Sequence, residues 1–187
     1  MPEIVTVGEA LIDLTQTEED EKHIRRYAAF PGGAPANVAV AAARLGAGAS
    51  FVGKVGRDAF GTSIRETLCR NEVDVTGLYE SDRDLTTLAV VSVDAGGERS
   101  FAFYRTPGAD TQLTPEEAVR ALEAYEKRPI FLHFGSVSLT AEPARSATLA
   151  VAGRARELGI LLSYDPNYRP SLWPVEETAL ARMKVGS

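Results

Sequence analysis

An α/β fold built on a parallel sheet, with a β-hairpin added to it, is what this sequence predicts, and three observations carry the prediction. Short apolar runs alternate with helical patterns through residue 71, the order that produces parallel strands joined by helical crossovers. The period then changes at residues 86–94 and 99–105, two β-rich runs that flank Ala95-Gly96-Gly97-Glu98, as in a hairpin with a glycine turn. From Thr114 the strand and helix alternation resumes. A length of 187 residues suits one domain with a substantial core, or part of a larger one.

In chain order, residues 4–8 read as a first buried strand ending at Gly8, and Asp13 follows at or just beyond the carboxyl end of that strand, where open α/β sheets bind their ligands. Residues 15–22 are polar and acidic and read as a surface connection, and residues 24–30 as a strand leading into Gly32-Gly33. That glycine pair removes two β-carbons before a helix, so a ligand can sit against bare amides. Pro35 suits the first turn, and Gly46 suits the C′ position after Leu45. Residues 38–43 of this helix are all alanine or valine, which predicts burial against a sheet with almost no polar face. Asn37 is the exception. It either satisfies local backbone groups or hydrogen-bonds a polar ligand beside the glycine pair.

Residues 49–55 read as another buried strand, and Asp58 as the cap of a helix whose Phe60, Ile64 and Leu68 form a core stripe. In the hairpin, Ser100, Ala102 and Tyr104 face opposite to Phe101, Phe103 and Arg105. Thr114, Pro115 and Glu117 make a capping box. Residues 130–134 form a strand in which His133 reads as a satisfied core histidine. A helix over residues 143–158 ends at Gly159. The strand after it, residues 160–164, delivers Asp165-Pro166-Asn167-Tyr168-Arg169-Pro170 to the same sheet edge as Asp13, and a last helix starts near Pro174.

Composition narrows the function. Twenty basic against 26 acidic residues give a net charge of −6, which argues against broad attraction to nucleic acid or anionic membrane. Cys69 is the single cysteine, consistent with a reducing cytoplasm, and with His23 and His133 it cannot assemble a zinc cluster. No apolar segment is long enough to cross a bilayer, so the expectation is a cytoplasmic protein. Gly48 to Lys54 matches the spacing of a phosphate-binding P-loop, but Val55 stands where a Ser or Thr must hold magnesium. The match reads as coincidence.

Several motifs in order resemble the ribokinase-like (phosphofructokinase-B type) carbohydrate kinases. They are Gly8-Glu9 with Asp13, Gly32-Gly33-Ala34-Pro35-Ala36-Asn37, and Gly53-Lys54-Val55-Gly56-Arg57-Asp58-Ala59-Phe60-Gly61. Phe103 to Asp110, His133-Phe134-Gly135-Ser136 and Asp165 to Trp173 resemble the fructokinase branch, with ketodeoxygluconate kinases sharing the last of these. The resemblance implies a ribokinase-like three-layer α/β/α core over residues 1–187, lacking its C-terminal half. It also implies inserted segments at about residues 14–31 and 84–107 that form a small β-sheet lid. Asp13, Gly32, Gly33 and Asn37 then correspond to contacts with sugar hydroxyls, Phe103 and Arg105 to lid residues facing the substrate, and Asn167 and Arg169 to groups near substrate and transferred phosphate. The family's Gly-Ala-Gly-Asp signature, which carries the catalytic base, has no counterpart among the 187 residues. No catalytic residue and no metal ligand is therefore expected in this chain. ATP and Mg²⁺ are expected for the complete enzyme, a small-molecule sugar as ligand, and a homodimer formed through the lid. The competing expectations are a non-catalytic sugar-binding fragment and a 2-keto-3-deoxygluconate kinase.

Overall fold

The computed structural model describes residues 2–93 and 99–184. In chain order the elements are β1 (Ile4–Val7), β2 (Leu11–Glu19), β3 (Arg25–Gly32), α1 (Ala34–Arg44), β4 (Ala49–Gly56), α2 (Ala59–Arg70) and β5 (Leu78–Ser81). The hairpin strands β6 (Leu88–Val93) and β7 (Arg99–Tyr104) come next. They are followed by α3 (Pro115–Glu123), β8 (Phe131–Gly135), α4 (Ala144–Glu157), β9 (Leu161–Asp165) and α5 (Glu176–Met183). The glycine turn expected at residues 95–98 lies outside the described residues.

Five strands form a parallel sheet in the order β5-β4-β1-β8-β9, with β1 at its centre. Alternation assigns the two faces. Val5, Val7 and Val52 pack with Leu132 and Phe134 against α3 and α4, while Phe51 and Val55 meet Ala36, Ala39, Ile64 and Leu68 of α1 and α2. The result is three layers, as expected. Helix α3 starts on the expected capping box, with Thr114 and Glu117 bonding reciprocally. His133 is buried and its Nδ1 lies 2.9 Å from Ser163 Oγ. Lys54 lies inside β4, where it meets Glu117 at 2.7 Å and the Gln112 carbonyl at 3.0 Å. A lysine held this way is a structural tie, which supports reading the near P-loop as coincidence.

A second sheet, ordered β3-β2-β6-β7, stands apart from the first. Here two expectations are corrected. Residues 15–19 are not a connection but the second half of β2, paired antiparallel with β3 from Leu11↔Gly32 to Glu19↔Arg25. Their polarity reflects a sheet that faces solvent at this end, where Glu18–Arg26 at 2.6 Å and Glu19–Arg25 at 3.1 Å pair across the strands. Helix α1 is not buried almost all round either. Pro35, Ala36 and Ala39 are buried, whereas Asn37, Ala41 and Arg44 are exposed. Alanine is small enough to be tolerated on either face, so an alanine-rich run overstates burial.

The second sheet is fastened to the core where β6 begins and β7 ends. Asp58 caps α2 through Gly61 N at 2.8 Å and also accepts bonds from Thr86 N at 2.8 Å and Thr86 Oγ1 at 2.9 Å. Burial opposes the ionised form of Asp58, but these bonds outweigh it and hold its carboxyl below the usual range. At the other attachment Arg105 meets Asp110 Oδ2 at 2.6–2.7 Å and donates to Thr140 Oγ1 at 2.7 Å. Thr87 donates to the other oxygen of Asp110.

Candidate functional site

The order of the parallel sheet reverses at β1, since β4 lies on one side of it and β8 on the other. The crevice beyond the carboxyl ends of such a pair is the expected ligand position, and a cavity of about 230 Å³ occupies it. Its floor comes from three strand ends: Glu9 after β1, Val137 after β8, and Asn167 with Arg169 after β9. Its wall is the start of α1, Gly33, Ala34 and Asn37. Its roof is the second sheet, with Leu11 and Asp13 from β2 and Phe103 from β7.

Of the eight residues singled out from the sequence, six converge on this cavity: Asp13, Gly33, Asn37, Phe103, Asn167 and Arg169. Asp13 is carried by the roof sheet rather than by the edge of the parallel sheet, a correction that follows from β2 beginning at Leu11. Burial pushes its carboxyl above the usual range, and the Arg169 guanidinium pulls it back. The two groups therefore act on each other across the cavity. Asn37 is exposed at the cavity wall, and its side chain makes no hydrogen bond among the described residues. Asn167 adopts φ 38, a left-handed conformation that asparagine tolerates, and its backbone N–H donates to Asp165 Oδ1 at 2.9 Å.

The other two residues stand just outside. Gly32 faces Asp13 from β3, where a Cβ would overlap the Asp13 carboxylate. Arg105 lies beneath the roof with its side chain 6% exposed, engaged by Asp110, Thr140 and the Val137 carbonyl. Sequence reading passed over Asp110 as a partner for Arg105, because an ion pair five residues apart outside a regular element has no periodic signal.

Glu9 entered the sequence reading only as part of the Gly8-Glu9 motif, with no role assigned, though a lone carboxylate inside an otherwise apolar run (Val7 to Ile12, apart from Gly8) is a visible signal. It is 3% exposed, and burial, with a smaller contribution from Asp110, pushes its carboxyl from 4.5 up to about 7. The folded chain therefore keeps a proton that the unfolded chain has released between those two values. The contribution of Glu9 to stability is greatest below pH 4.5, falls as pH rises toward 7, and is level above. The loss attributable to Glu9 is about 3 kcal/mol. Urea midpoints near pH 5 and pH 8 should show this fall in the wild type, and a smaller one in Glu9→Gln. Equal slopes in the two proteins would refute it.

A parallel α/β core whose switch-point crevice is roofed by a second, separately fastened sheet defines a class of small-ligand-binding proteins, and the comparisons identify which. The chain matches the pfkB family carbohydrate kinase model over residues 1–185, and it belongs to that family. It is 46% identical over 182 residues to fructokinase-1 of Oryza sativa subsp. japonica, covering 96% of this chain and 55% of that protein. It is 45% identical over 184 residues to a fructokinase of Solanum tuberosum, covering 97% and 57%. Among solved structures, fructokinase from Xylella fastidiosa superposes with a TM-score of 0.90 at 35% identity, over 100% of this chain and 57% of that one. Fructokinase from Vibrio cholerae O395 in a fructose-, ADP- and calcium-bound form gives 0.81 at 36% identity, over 97% and 56%. The fold is thus ribokinase-like, and the chain spans about half the length of the curated relatives it matches. No helix among the described residues is long and apolar enough to cross a membrane.

Proposed function

We propose that these residues form the sugar-binding part of an ATP-dependent sugar kinase of fructokinase type, which transfers the γ-phosphate to a primary hydroxyl of the sugar. The observation that carries the reading is the convergence of Asp13, Asn37, Asn167 and Arg169 with the Gly33 backbone on one small cavity. A carboxylate, two carboxamides and a guanidinium supply the mixed acceptors and donors that a polyol needs, and Phe103 offers an apolar face. At about 230 Å³ the cavity falls below the roughly 300–1,000 Å³ of drug-sized ligand sites, in keeping with a monosaccharide. Arg169 brings to the cavity floor a guanidinium, a group that can offset charge developing in phosphoryl transfer. Among the described residues no three His, Cys, Asp or Glu side chains converge as a metal site.

Isothermal titration with fructose tests the reading. Losing one hydrogen bond costs about 0.5–1.5 kcal/mol, and up to about 3 kcal/mol where a charged group takes part. Asp13→Ala should therefore weaken binding by up to about a hundredfold and Asn37→Ala by about tenfold, with little change in melting temperature for either. Unaltered affinity in a folded Asp13→Ala protein would remove Asp13 from the site and the sugar reading with it.

A further inference from the structure

Glu9 has no part in the sugar contacts proposed above, yet its carboxyl is the buried polar group of the cavity floor. Oε1 accepts the Ala34 amide hydrogen bond at 3.1 Å. Oε2 is fully buried and has no hydrogen-bond partner among the described residues. The helix that Glu9 touches begins without a cap of its own. Its N-cap residue is Gly33, at φ 106, which has no side chain to accept a bond from the first-turn amides. A helix start normally relies on such an acceptor. The main chain of Glu9 packs close to the same turn, where a Cβ on Gly33 would overlap the Glu9 carbonyl oxygen. One residue thus bonds the turn through its side chain and limits its room through its main chain, at the point from which Gly33 and Asn37 reach the cavity.

We propose that Glu9 is a positioning residue of this cavity: it caps α1 from the adjoining β1–β2 turn and so sets where Gly33 and Asn37 stand. The inference rests on the sugar-site reading only for its effect on affinity; the positioning itself concerns the turn. Two charged groups act on Glu9, Asp110 opposing its ionisation and Arg105 favouring it. Asp13 and Arg169 face the same cavity from β2 and from the segment after β9. As a neutral acid, Glu9 leaves Oε2 as a hydroxyl and Oε1 as the acceptor for Ala34. On ionisation the bond to Ala34 becomes charge-assisted and shorter, and the turn moves with it.

The test reads the turn directly. In ¹⁵N–¹H spectra of the chain between about pH 5 and pH 9, the backbone amides of Gly33 and Ala34 and the side-chain amide of Asn37 should titrate together with one midpoint. Glu9→Gln, which keeps an acceptor oxygen but cannot ionise, should leave these resonances near their low-pH positions and flat. Fructose affinity should fall about tenfold in Glu9→Ala, the size of one lost cap, and return in Glu9→Gln. A residue that merely filled space would give no shared titration. Resonances indifferent to pH, or a folded Glu9→Ala protein that binds fructose as the wild type does, would overturn the proposal. If the wild type binds no fructose while the three amides titrate together and are flat in Glu9→Gln, the sugar reading fails and the positioning of the turn stands.

Discussion

Replacing Asp110 with alanine is expected to lower the melting temperature by roughly 10 °C, because it strands a buried guanidinium. In the native chain Arg105 and Asp110 have side chains 6% and 1% exposed and meet at 2.6 Å. Removing one member of a buried pair costs about 3–5 kcal/mol, since the remaining charge keeps its desolvation penalty and loses its partner. In a protein of this size each kcal/mol is worth about 2–4 °C. Thr87 would also lose the acceptor for its hydroxyl. The double variant Arg105→Met/Asp110→Leu should recover much of the loss, because it removes both charges together. The competing role for Arg105, direct contact with the sugar, predicts another pattern: weaker fructose binding in Arg105→Ala with little thermal cost. A calorimetric melting temperature within about 2 °C of wild type for Asp110→Ala would decide for that role.

Gly33→Ala should be the most damaging single change at the cavity. At φ 106 an L side chain is strained, and its Cβ would overlap the Glu9 carbonyl oxygen, a backbone atom with no freedom to rotate away. The unfavourable backbone conformation costs about 1–3 kcal/mol, and overpacking adds about 1–3 kcal/mol. Relief can come only from moving the start of α1, which carries Asn37 with it. Fructose affinity should therefore fall together with stability, whereas Gly46→Ala provides a control. Gly46 also has a positive φ, of 90, but open space around it, so its cost should be confined to stability. Parallel loss of affinity in both variants would show that unfolding, not displacement of the cavity wall, was being measured.

The fold was legible wherever the signal was local. The start of α3 could be read because Thr114, Pro115 and Glu117 carry their own geometry, and β4 because its buried apolar run lies between glycines. The second half of β2 was illegible for the opposite reason. A strand solvated at its sides takes polar residues, and only its pairing with β3 reveals it. Six of the eight expected residues meet at one cavity because strand ends and helix starts converge there by topology. Arg105 shows the limit of such reading. Alternation put it on the face opposite Tyr104, but the partner it meets there, Asp110, depends on a return of the chain that no residue pattern encodes. Glu9 was in view as a motif residue, and its burial depends on the roof sheet closing above β1.

The two ends of the second sheet are held by very different means, and that asymmetry makes it a cantilever. Its anchored end is clamped by bonds from Thr86 to the half-buried Asp58 and from Arg105 to the buried Asp110. Its free end, the β2–β3 tip, is held by exposed pairs such as Glu18 with Arg26, each 62% accessible, and pairs of that kind contribute only about 0–1 kcal/mol. Stiffness should therefore decay along the strands, and deuterium uptake should trace it. Amides of residues 17–26 should exchange early, and faster still in roughly 1 M salt, where screening acts within about 3 Å. Those of residues 86–90 should persist toward the global unfolding limit. Uniform uptake from tip to anchor would mean that the sheet moves as a rigid plate, and a ligand would then have to enter by lifting all of it at once.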